Sequence, residues 1–345
     1  MKKIIKISKS LSFDNDKRPL LIAEISGNHN GSKKQFLNHI KAAHKSGADL
    51  IKIQTYEPQD ITVYTRKFKI NSGIWKGKDL WSLYNKAQTP FAWHKEAFSL
   101  AKKLGAILFS SPFSSRGVDL LEKYKVKLYK LASLEITDFK LINKIAKTRK
   151  PIIISTGSAK MQEIKNCLKI IKKYHNKIII LHCVSDYPTK NKNANINKIK
   201  YLKKIFKNEL IGLSDHTTDI FSSVSATALG AVVIEKHFKT SNRIRSLDEK
   251  FSITPEKFKL LKKFTTKVSE SLSSSRVEKL DKQKYRRSIF ASKLIRRGER
   301  FTEKNINTLR PFIGLCASNY YKILNKKSKK NISKNSPIFK INVQL

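Results

Sequence analysis

Eight short apolar runs, each followed by a segment with helical periodicity, constrain the fold of this chain more than any other feature. They are too short for helices and rich in Ile, Val and Leu, which is typical of strands buried on both faces. The runs are LLIAEIS (20–26), LIKIQTY (50–56), AILFSSPF (106–113), KLYKLAS (127–133), PIIISTG (151–157), IIILHCVSDYP (178–188), IGLSDHT (211–217) and AVVIEKHF (231–238). Eight strand–helix repeats predict an α/β fold, a (β/α)8 TIM barrel. The alternative is a doubly wound open sheet, but GNHNG after the first run lacks the Gly-x-Gly-x-x-Gly fingerprint.

The segments between and after the runs predict the domain organisation. Residues 57–90 form one connection that is too long for the repeat, and long connections on compact barrels are typical of lids or subunit contacts. We predict a catalytic barrel over residues 1–268 and a Ser-rich linker over residues 269–284. Short strands and a turn at Gly298 predict a second, small domain over residues 285–345.

The charge of the chain is strongly positive. Lys and Arg number 72 against 26 Asp and Glu, a formal net charge of +46. The lysines are spread along the whole chain and do not form one stripe or tail, so we predict no nucleic-acid partner. A field of this sign attracts anionic substrates.

Cysteine content and hydropathy predict the compartment. Three cysteines, Cys167, Cys183 and Cys316, are few and odd in number, which suits a reducing cytoplasm. No apolar run reaches the roughly 20 residues of a membrane span, so we expect no membrane association. Lysines interrupt the first residues, MKKIIKISKS, before an apolar signal-peptide region forms.

Polar side chains stand near the carboxyl ends of the predicted strands, where barrel enzymes place their active sites. Lys52 and Lys130 are surrounded by apolar neighbours, and a lysine inside a barrel must be paired or lose its charge. One interpretation is a buried ion pair with Glu24 or Glu135. The other is a site for phosphate and carboxylate oxygens, completed by the strand-end hydroxyls of Ser111, Ser133, Ser155 and Ser214.

Two histidines end the seventh and eighth predicted strands. His216 and His237 can therefore face one point near the barrel axis, where two neutral imidazoles suit an exchangeable divalent metal. Asp215 and Glu235 are candidate partners for these imidazoles. His29, in GNHNG, is equally compatible with a site residue and with a turn residue.

Two carboxylates are predicted to face the same cavity. Glu24 and Glu135 would lie beside Lys52 and Lys130, and we expect both carboxyl groups to stay ionised there. Either could orient a sugar hydroxyl or move a proton.

The ordered motifs resemble the sialic acid synthase family. The motifs that carry the resemblance are AEISGNHNGS (23–32), KIQTY (52–56), SSPFS (110–114), YKLAS (129–133), ISTGS (154–158), LHCVSDYPT (181–189), GLSDHT (212–217) and EKHF (235–238). The tail from about Arg287, including RRGERFTEKNINTLRP, is similar to the family's C-terminal antifreeze-like (SAF) domain. The resemblance covers nearly the whole chain.

The resemblance implies a metal-dependent condensation of phosphoenolpyruvate with an open-chain acetamido sugar, with cleavage of a C–O bond and release of phosphate. It assigns residues to roles by position. Phosphoenolpyruvate would contact Lys52, Ser111, Lys130, Ser133, Ser155 and Ser214; the sugar would contact Gln54, Tyr187, Asp248 and Arg310; Glu24 and Glu135 would be catalytic; and His216 and His237 would hold Mn²⁺, with Mg²⁺ or Co²⁺ as alternatives. Arg310 would reach a partner's site in a domain-swapped homodimer.

The form of two segments indicates a branch within that family. SGNHNGS and the inserted residues 76–94 are similar to the branch that uses 2,4-diacetamido-2,4,6-trideoxy-L-altrose. Two departures, NRIRSLD before Asp248 and PFIG after Arg310, lie near the sugar end, so the neuraminic and legionaminic branches stay open. Outside the family, the alternatives are an aldolase with Lys130 as a Schiff-base nucleophile and a nucleic-acid-binding protein.

Overall fold

The computed structural model describes residues 3–242, 245–272 and 282–344. The chain divides into two compact units, residues 1–273 and residues 274–345. In the parts described, no helix is long and apolar enough to cross a membrane.

The first unit is a closed barrel of eight parallel strands, preceded by a small antiparallel hairpin. Its strands are β1 (Ile4–Lys6) and β2 (Ser12–Asp14) in the hairpin, then β3 (Leu20–Glu24), β4 (Leu50–Thr55), β5 (Leu108–Pro112), β6 (Tyr129–Leu131), β7 (Ile152–Ser155), β8 (Ile178–Cys183), β9 (Leu210–Asp215) and β10 (Val233–His237). Each barrel strand pairs with the next in sequence, and β10 closes the barrel on β3. Seven of the eight apolar runs contain one of these strands whole, and the run at 211–217 contains all of β9 except Leu210, so the predicted (β/α)8 barrel is confirmed.

Helices cover the outside of the barrel. They are α1 (Lys33–Lys45), α2 (Leu80–Ala87), α3 (His94–Leu104), α4 (Ser115–Lys123), α5 (Phe139–Lys147), α6 (Met161–Lys172), α7 (Lys198–Ile205), α8 (Phe221–Ala228) and α9 (Pro255–Leu272). One helix follows each barrel strand, and α2 is additional, within the long connection at residues 57–90. Asp79 caps α2 by accepting a hydrogen bond from the Ser82 amide at 2.8 Å.

Side chains of the barrel strands alternate between the helices and the interior of the barrel. Outward residues such as Ile51, Ile154 and Ile234 belong to the core between strands and helices. Inward residues toward the amino ends of the strands are apolar and form a second core, which includes Ile22, Leu50, Phe109, Ile153, Ile179, Leu181 and Val233. The interior is packed so closely that a Cβ at Gly212 would lie 2.5 Å from the Val233 carbonyl oxygen. The lower barrel is therefore filled, and the space for a ligand lies at the carboxyl ends.

The hairpin formed by β1 and β2 was not predicted, and it closes the amino end of the barrel. Ile5 and Phe13 are buried and belong to the same core as the inward residues Leu20 and Ile22. Because its strands have only three residues each, the hairpin lacks the extended apolar run of the barrel strands.

The end of α9 bears on the predicted linker. The helix continues to Leu272, four residues beyond the predicted end of the barrel domain at residue 268. Residues 273–281 of the proposed linker lie outside the described residues, so the linker and the domain boundaries stay predictions.

The second unit has its own small core. Strands β11 (Ser288–Ala291) and β12 (Ile306–Leu309) pair antiparallel, and a one-turn helix, α10 (Tyr320–Ile323), follows. The buried side chains are mainly aliphatic and include Ile289, Ile295, Phe301, Ile306, Ile332 and Ile338. The short strands and the turn at Gly298, where φ is +84°, agree with the elements predicted from the sequence of this segment.

Candidate active site

A cavity of about 380 Å³ opens at the carboxyl ends of the barrel strands. Every predicted site residue of the barrel lines it. They are Glu24, Lys52, Gln54, Ser111, Lys130, Ser133, Glu135, Ser155, Tyr187, Ser214, His216, His237 and Asp248. Arg310 lies in the second unit, directly after β12, and its proposed contact with a sugar stays a prediction.

Lys52 is held between two carboxylates inside the barrel. Its Nζ donates to Glu235 Oε1 at 2.9 Å and lies 3.2 Å from Glu24 Oε2. Burial lowers the pKa of Lys52, but the two carboxylates outweigh burial, and the net shift is upward. The expected ion pair with Glu24 is present, whereas the second partner is Glu235 and not Glu135.

Lys130 is buried beside Lys52, but carboxylates compensate its positive charge less well. Its Nζ donates to Ser155 Oγ at 2.7 Å, and the nearest carboxylate oxygen, on Glu235, is 3.9 Å away. Burial lowers the pKa of Lys130 to about 8, against the opposing effect of Glu235. An anion placed next to this ammonium group would restore its missing counter-charge.

The carboxyl groups of the cavity differ in charge state. Burial would raise the pKa of Glu235, but Lys130 and Lys52 hold it at about 2. Burial raises the pKa of Glu24 to about 7 despite Lys52, and raises that of Glu135 to about 7 as well. The expectation that Glu24 and Glu135 stay fully ionised is therefore wrong, because loss of water outweighs the lysines at both positions.

Hydroxyl groups surround the two lysines. Ser111 Oγ is buried and has no hydrogen-bond partner among the described residues, and Ser214 Oγ donates to Glu235 Oε1 at 3.2 Å. Ser133 Oγ lies 3.3 Å from the hydroxyl of Ser185, which sequence reasoning did not select although it follows β8 directly. With the Lys52 and Lys130 ammonium groups, these hydroxyls form a donor-rich surface suited to a small anion.

His216 and His237 meet at the rim, with ring centroids 5.4 Å apart. His216 Nδ1 lies 2.8 Å from the Val184 carbonyl oxygen, which makes Nδ1 the donor and leaves the lone pair on Nε2. His237 Nδ1 is buried, and in the part of the chain that the structure describes it has no hydrogen-bond partner. Burial lowers the pKa of both imidazoles, that of His216 to about 4, so both are neutral at neutral pH.

These two neutral imidazoles fit the donor set of a divalent transition metal. Among the residues that the structure describes, no group of three or more His, Cys, Asp or Glu side chains is placed to hold a metal ion. The histidines would thus supply two ligands and leave the other coordination positions to substrate and water.

The predicted carboxylate partners of the histidines behave differently. Asp215 faces away from the cavity and pairs with the Nζ of buried Lys236 at 2.9 Å, so its predicted support of an imidazole is wrong. The reason is strand alternation, which turns Asp215 and Lys236 outward together. Glu235 faces inward and binds Lys52. Its place two residues before His237, on the same face of β10, is the sequence signal that identifies it.

The candidate sugar residues lie around the opening. Gln54 Nε2 donates to Ser26 Oγ at 3.0 Å and to Glu24 Oε1 at 3.3 Å. Asp248 is buried, and its Oδ2 accepts a hydrogen bond from the Gly27 amide at 3.0 Å. The Tyr187 ring packs against His216 at a tilt of 36°, with 4.3 Å between centroids.

His29 is a turn residue in this structure. It is fully buried, its Nδ1 accepts a hydrogen bond from the Gly31 amide at 3.1 Å, and its ring packs against Phe36 and Trp93. It is not among the residues that line the cavity.

The barrel strands gather two ammonium groups, a set of hydroxyls and two neutral imidazoles at one rim. This arrangement defines a barrel protein with a cavity suited to an anionic ligand. Comparison with known proteins agrees with this class. Residues 39–277 match the model of the NeuB family, and residues 286–343 match the SAF domain. The chain belongs to the NeuB family.

Individual relatives cover most of the chain. It is 40% identical to the pseudaminic acid synthase of Campylobacter jejuni, over 93% of this chain and 95% of the relative. It is 35% identical to the N,N'-diacetyllegionaminic acid synthase of the same species, over 91% of this chain and 97% of the relative. Among solved structures, the N-acetylneuraminic acid synthetase of Leptospira borgpetersenii, in complex with citrate, superposes with a TM-score of 0.74 at 26% identity, covering 83% and 95% of the two chains.

Proposed function

We propose that this protein is a pseudaminic acid synthase. It is a transferase that condenses phosphoenolpyruvate with 2,4-diacetamido-2,4,6-trideoxy-L-altrose to form a nine-carbon nonulosonic acid and phosphate. The observation that carries the proposal is the convergence of Lys52, Lys130 and four serine hydroxyls on the cavity that also holds His216 and His237. The identity of 40% to a pseudaminic acid synthase over nearly the whole chain supports the choice of substrate class.

Binding of phosphoenolpyruvate rests on charge and hydrogen-bond donors. Lys52 and Lys130 supply the ammonium groups, and Ser111, Ser133, Ser155 and Ser214 supply hydroxyl donors for the phosphate and carboxylate oxygens. C3 of the enol attacks the sugar aldehyde carbon, water adds at C2, and the C2–O bond breaks as phosphate leaves. The added water loses two protons: one balances the proton gained by the aldehyde oxygen, and the second leaves with the phosphate as the C2 hydroxyl becomes the keto group.

Two carboxyl groups with a pKa of about 7 line the cavity and would handle these protons. Glu24 and Glu135 are each partly protonated near neutrality, so each can donate or accept a proton without a large driving force. Gln54 and Asp248 would orient the sugar, and Tyr187 would cover it at the rim. We assign proton handling to Glu24 and Glu135 jointly.

His216 and His237 would hold a divalent metal, Mn²⁺ with Mg²⁺ or Co²⁺ as alternatives, which when bound polarises the aldehyde oxygen as a Lewis acid. We expect His237→Ala to lose metal-stimulated turnover while its circular dichroism and unfolding temperature stay close to wild type. The matched control is His39→Ala, a buried histidine outside the cavity. Metal-stimulated turnover in His237→Ala would overturn the assignment.

The reaction is tested by phosphate release from phosphoenolpyruvate with a panel of acetamido sugars. The panel contains N-acetylmannosamine and 2,4-diacetamido-2,4,6-trideoxy sugars of the altro and manno configurations. In H₂¹⁸O, C–O cleavage places the label in the sugar acid and leaves the phosphate unlabelled. Label in the phosphate, or equal turnover of all sugars, would contradict the proposal.

Two alternatives to the proposed reaction are also testable. The 35% identity to a legionaminic acid synthase keeps the manno sugar as the alternative substrate, and its preferential turnover in the phosphate-release assay would establish that branch. The lowered pKa of Lys130, about 8, meets one requirement of a Schiff-base aldolase. Trapping of pyruvate on Lys130 by borohydride, with turnover that resists EDTA, would establish the aldolase.

We also propose a cytoplasmic, homodimeric enzyme. Cys167, Cys183 and Cys316 are all free thiols, which suits a reducing compartment. The dimer rests on the family's implied exchange of SAF domains, in which Arg310 reaches the partner's cavity.

A further inference from the structure

Helix α2 presents an apolar stripe to the cavity and not to the protein core. Leu80, Leu83, Tyr84 and Ala87 are spaced i, i+3, i+4 and i+7, which places them on one face of the helix. All four line the cavity, and none of the residues of α2 is buried in the protein core. An amphipathic helix normally buries such a stripe against other elements, so this stripe is available to a ligand.

Neighbouring residues of the same long connection extend this apolar surface. Ile61, Ile70 and Trp75 also line the cavity, and the Trp75 ring lies 5.7 Å from that of Tyr187. We call this surface, with the stripe of α2, the apolar roof. Opposite the roof, the ends of the barrel strands line the cavity with charged and hydroxyl side chains, and a few further apolar residues, among them Phe113, Leu247 and Phe251, lie between the two.

A sugar bound in this cavity must place its two ends in different surroundings. Its aldehyde carbon has to reach the region of Lys52, Lys130 and the two histidines, where phosphoenolpyruvate would be held. The carbon at the other end of the open chain is then directed away from the strand ends and toward the roof. Leu80, Leu83 and Ala87 have no polar side-chain atom that could pair with a hydroxyl there.

We propose that the apolar roof selects an amino sugar whose C6 is a methyl group over one whose C6 is a hydroxymethyl group. This inference rests on the proposed function. The roof residues contact the methyl group, and a C6 hydroxyl directed at Leu80 and Leu83 would lose water without gaining a partner. An apolar pocket rejects a ligand that adds one hydroxyl by on the order of 100-fold at most, so we expect a preference of about 10- to 100-fold in kcat/KM.

The test compares 2,4-diacetamido-2,4,6-trideoxy-L-altrose with its 6-hydroxy analogue, using phosphate release from phosphoenolpyruvate. In Leu83→Asn, the side-chain amide offers the hydroxyl a partner, so the preference should fall about tenfold, while the KM for phosphoenolpyruvate is unchanged. The matched control is Val63→Asn, since Val63 belongs to the same connection, is 61% exposed and does not line the cavity. Its preference should equal that of wild type.

The outcomes separate the inference from the proposed function. Absence of turnover with the 6-deoxy sugar contradicts the proposed function itself. Equal turnover of both sugars by wild type overturns the role of the roof while the function stands. An unchanged preference in Leu83→Asn and in a second variant, Leu80→Gln, also overturns it. The second variant keeps the test decisive if the first does not fold.

Discussion

Two adjacent serines on β5 differ because strand alternation turns their hydroxyls to opposite sides of the sheet. Ser111 Oγ faces the cavity, is buried and has no hydrogen-bond partner. Ser110 Oγ faces the helices, where it lies 2.6 Å from Thr55 Oγ1 and donates to the Ile53 carbonyl oxygen at 3.0 Å. The first hydroxyl is available to a ligand, and the second contributes to the fold.

This difference predicts opposite effects of the same substitution at neighbouring positions. Ser111→Ala should raise the KM for phosphoenolpyruvate about tenfold or more, because a hydrogen bond to a charged group contributes about 1.5–3 kcal/mol. It should not lower the free energy of unfolding, since a buried hydroxyl without a partner costs stability and does not add to it.

Ser110→Ala is the control, and we expect it to lower the free energy of unfolding by about 1–2 kcal/mol with no change in that KM. Steady-state kinetics and urea unfolding measure the two quantities. Equal changes of KM in both variants would contradict a direct contact of Ser111 with the substrate.

At the scale of elements, Asp49 joins three parts of the barrel at its amino end. Its carboxylate accepts two hydrogen bonds from the Arg18 guanidinium, both at 2.7 Å, and one from the Leu21 amide of β3 at 2.9 Å. Lys262 of α9 lies 3.3 Å away. Burial would raise the pKa of Asp49, but Arg18 outweighs it and the net shift is downward.

The lowered pKa of Asp49 predicts a pH-dependent contribution to stability. Because the folded pKa is below the ordinary value near 3.8, the stabilisation is complete above that value and is lost as the pH falls through the folded pKa. Asp49→Asn should lower the free energy of unfolding by about 2 kcal/mol at pH 7, with a smaller difference as the pH falls below about 4.

The matched control is Asp119→Asn, which breaks the exposed pair between Asp119 and Lys144. Exposed pairs contribute about 0–1 kcal/mol, so its effect should be small. Urea unfolding from pH 3 to pH 7 measures both, and a constant effect of Asp49→Asn over this range would exclude the linkage.

At the scale of the whole molecule, the proposed homodimer predicts complementation between two impaired variants, assayed at a sugar concentration at which Arg310→Ala alone shows little turnover. Arg310→Ala would damage only the partner's site, whereas Lys130→Met would damage only its own. Random mixing of the two should restore about a quarter of wild-type turnover, because half of the dimers are hybrids and each hybrid has one intact site.

The kinetics of Arg310→Ala alone provide a second measurement. The KM for the sugar should rise more than that for phosphoenolpyruvate, since the proposed contact is with an acetamido group.

In the mixing experiment, the absence of any recovery of turnover would contradict exchange of the small domains between subunits.

The sequence by itself was sufficient for the barrel and for the gathering of the predicted polar side chains of the barrel at one rim. Eight buried strands in sequential parallel order bring their carboxyl ends to one rim, so Lys52, Lys130, His216 and His237 had to converge wherever the chain folded as predicted. The short strands of the second unit were also predicted from the sequence, because apolar runs there are interrupted at Gly298. These features follow from local patterns and from one topological rule.

Only the tertiary structure decided which charges pair and which surfaces face the cavity. Glu235 and not Glu135 binds Lys52, Asp215 binds Lys236, and the carboxyl group of Glu24 is partly protonated near neutrality. The stripe of α2, hidden in a connection predicted as a loop, lines the cavity. Charge pairing depends on ångström distances between residues far apart in the chain and on how much water each group loses, and neither quantity is contained in the spacing of residues along one sequence.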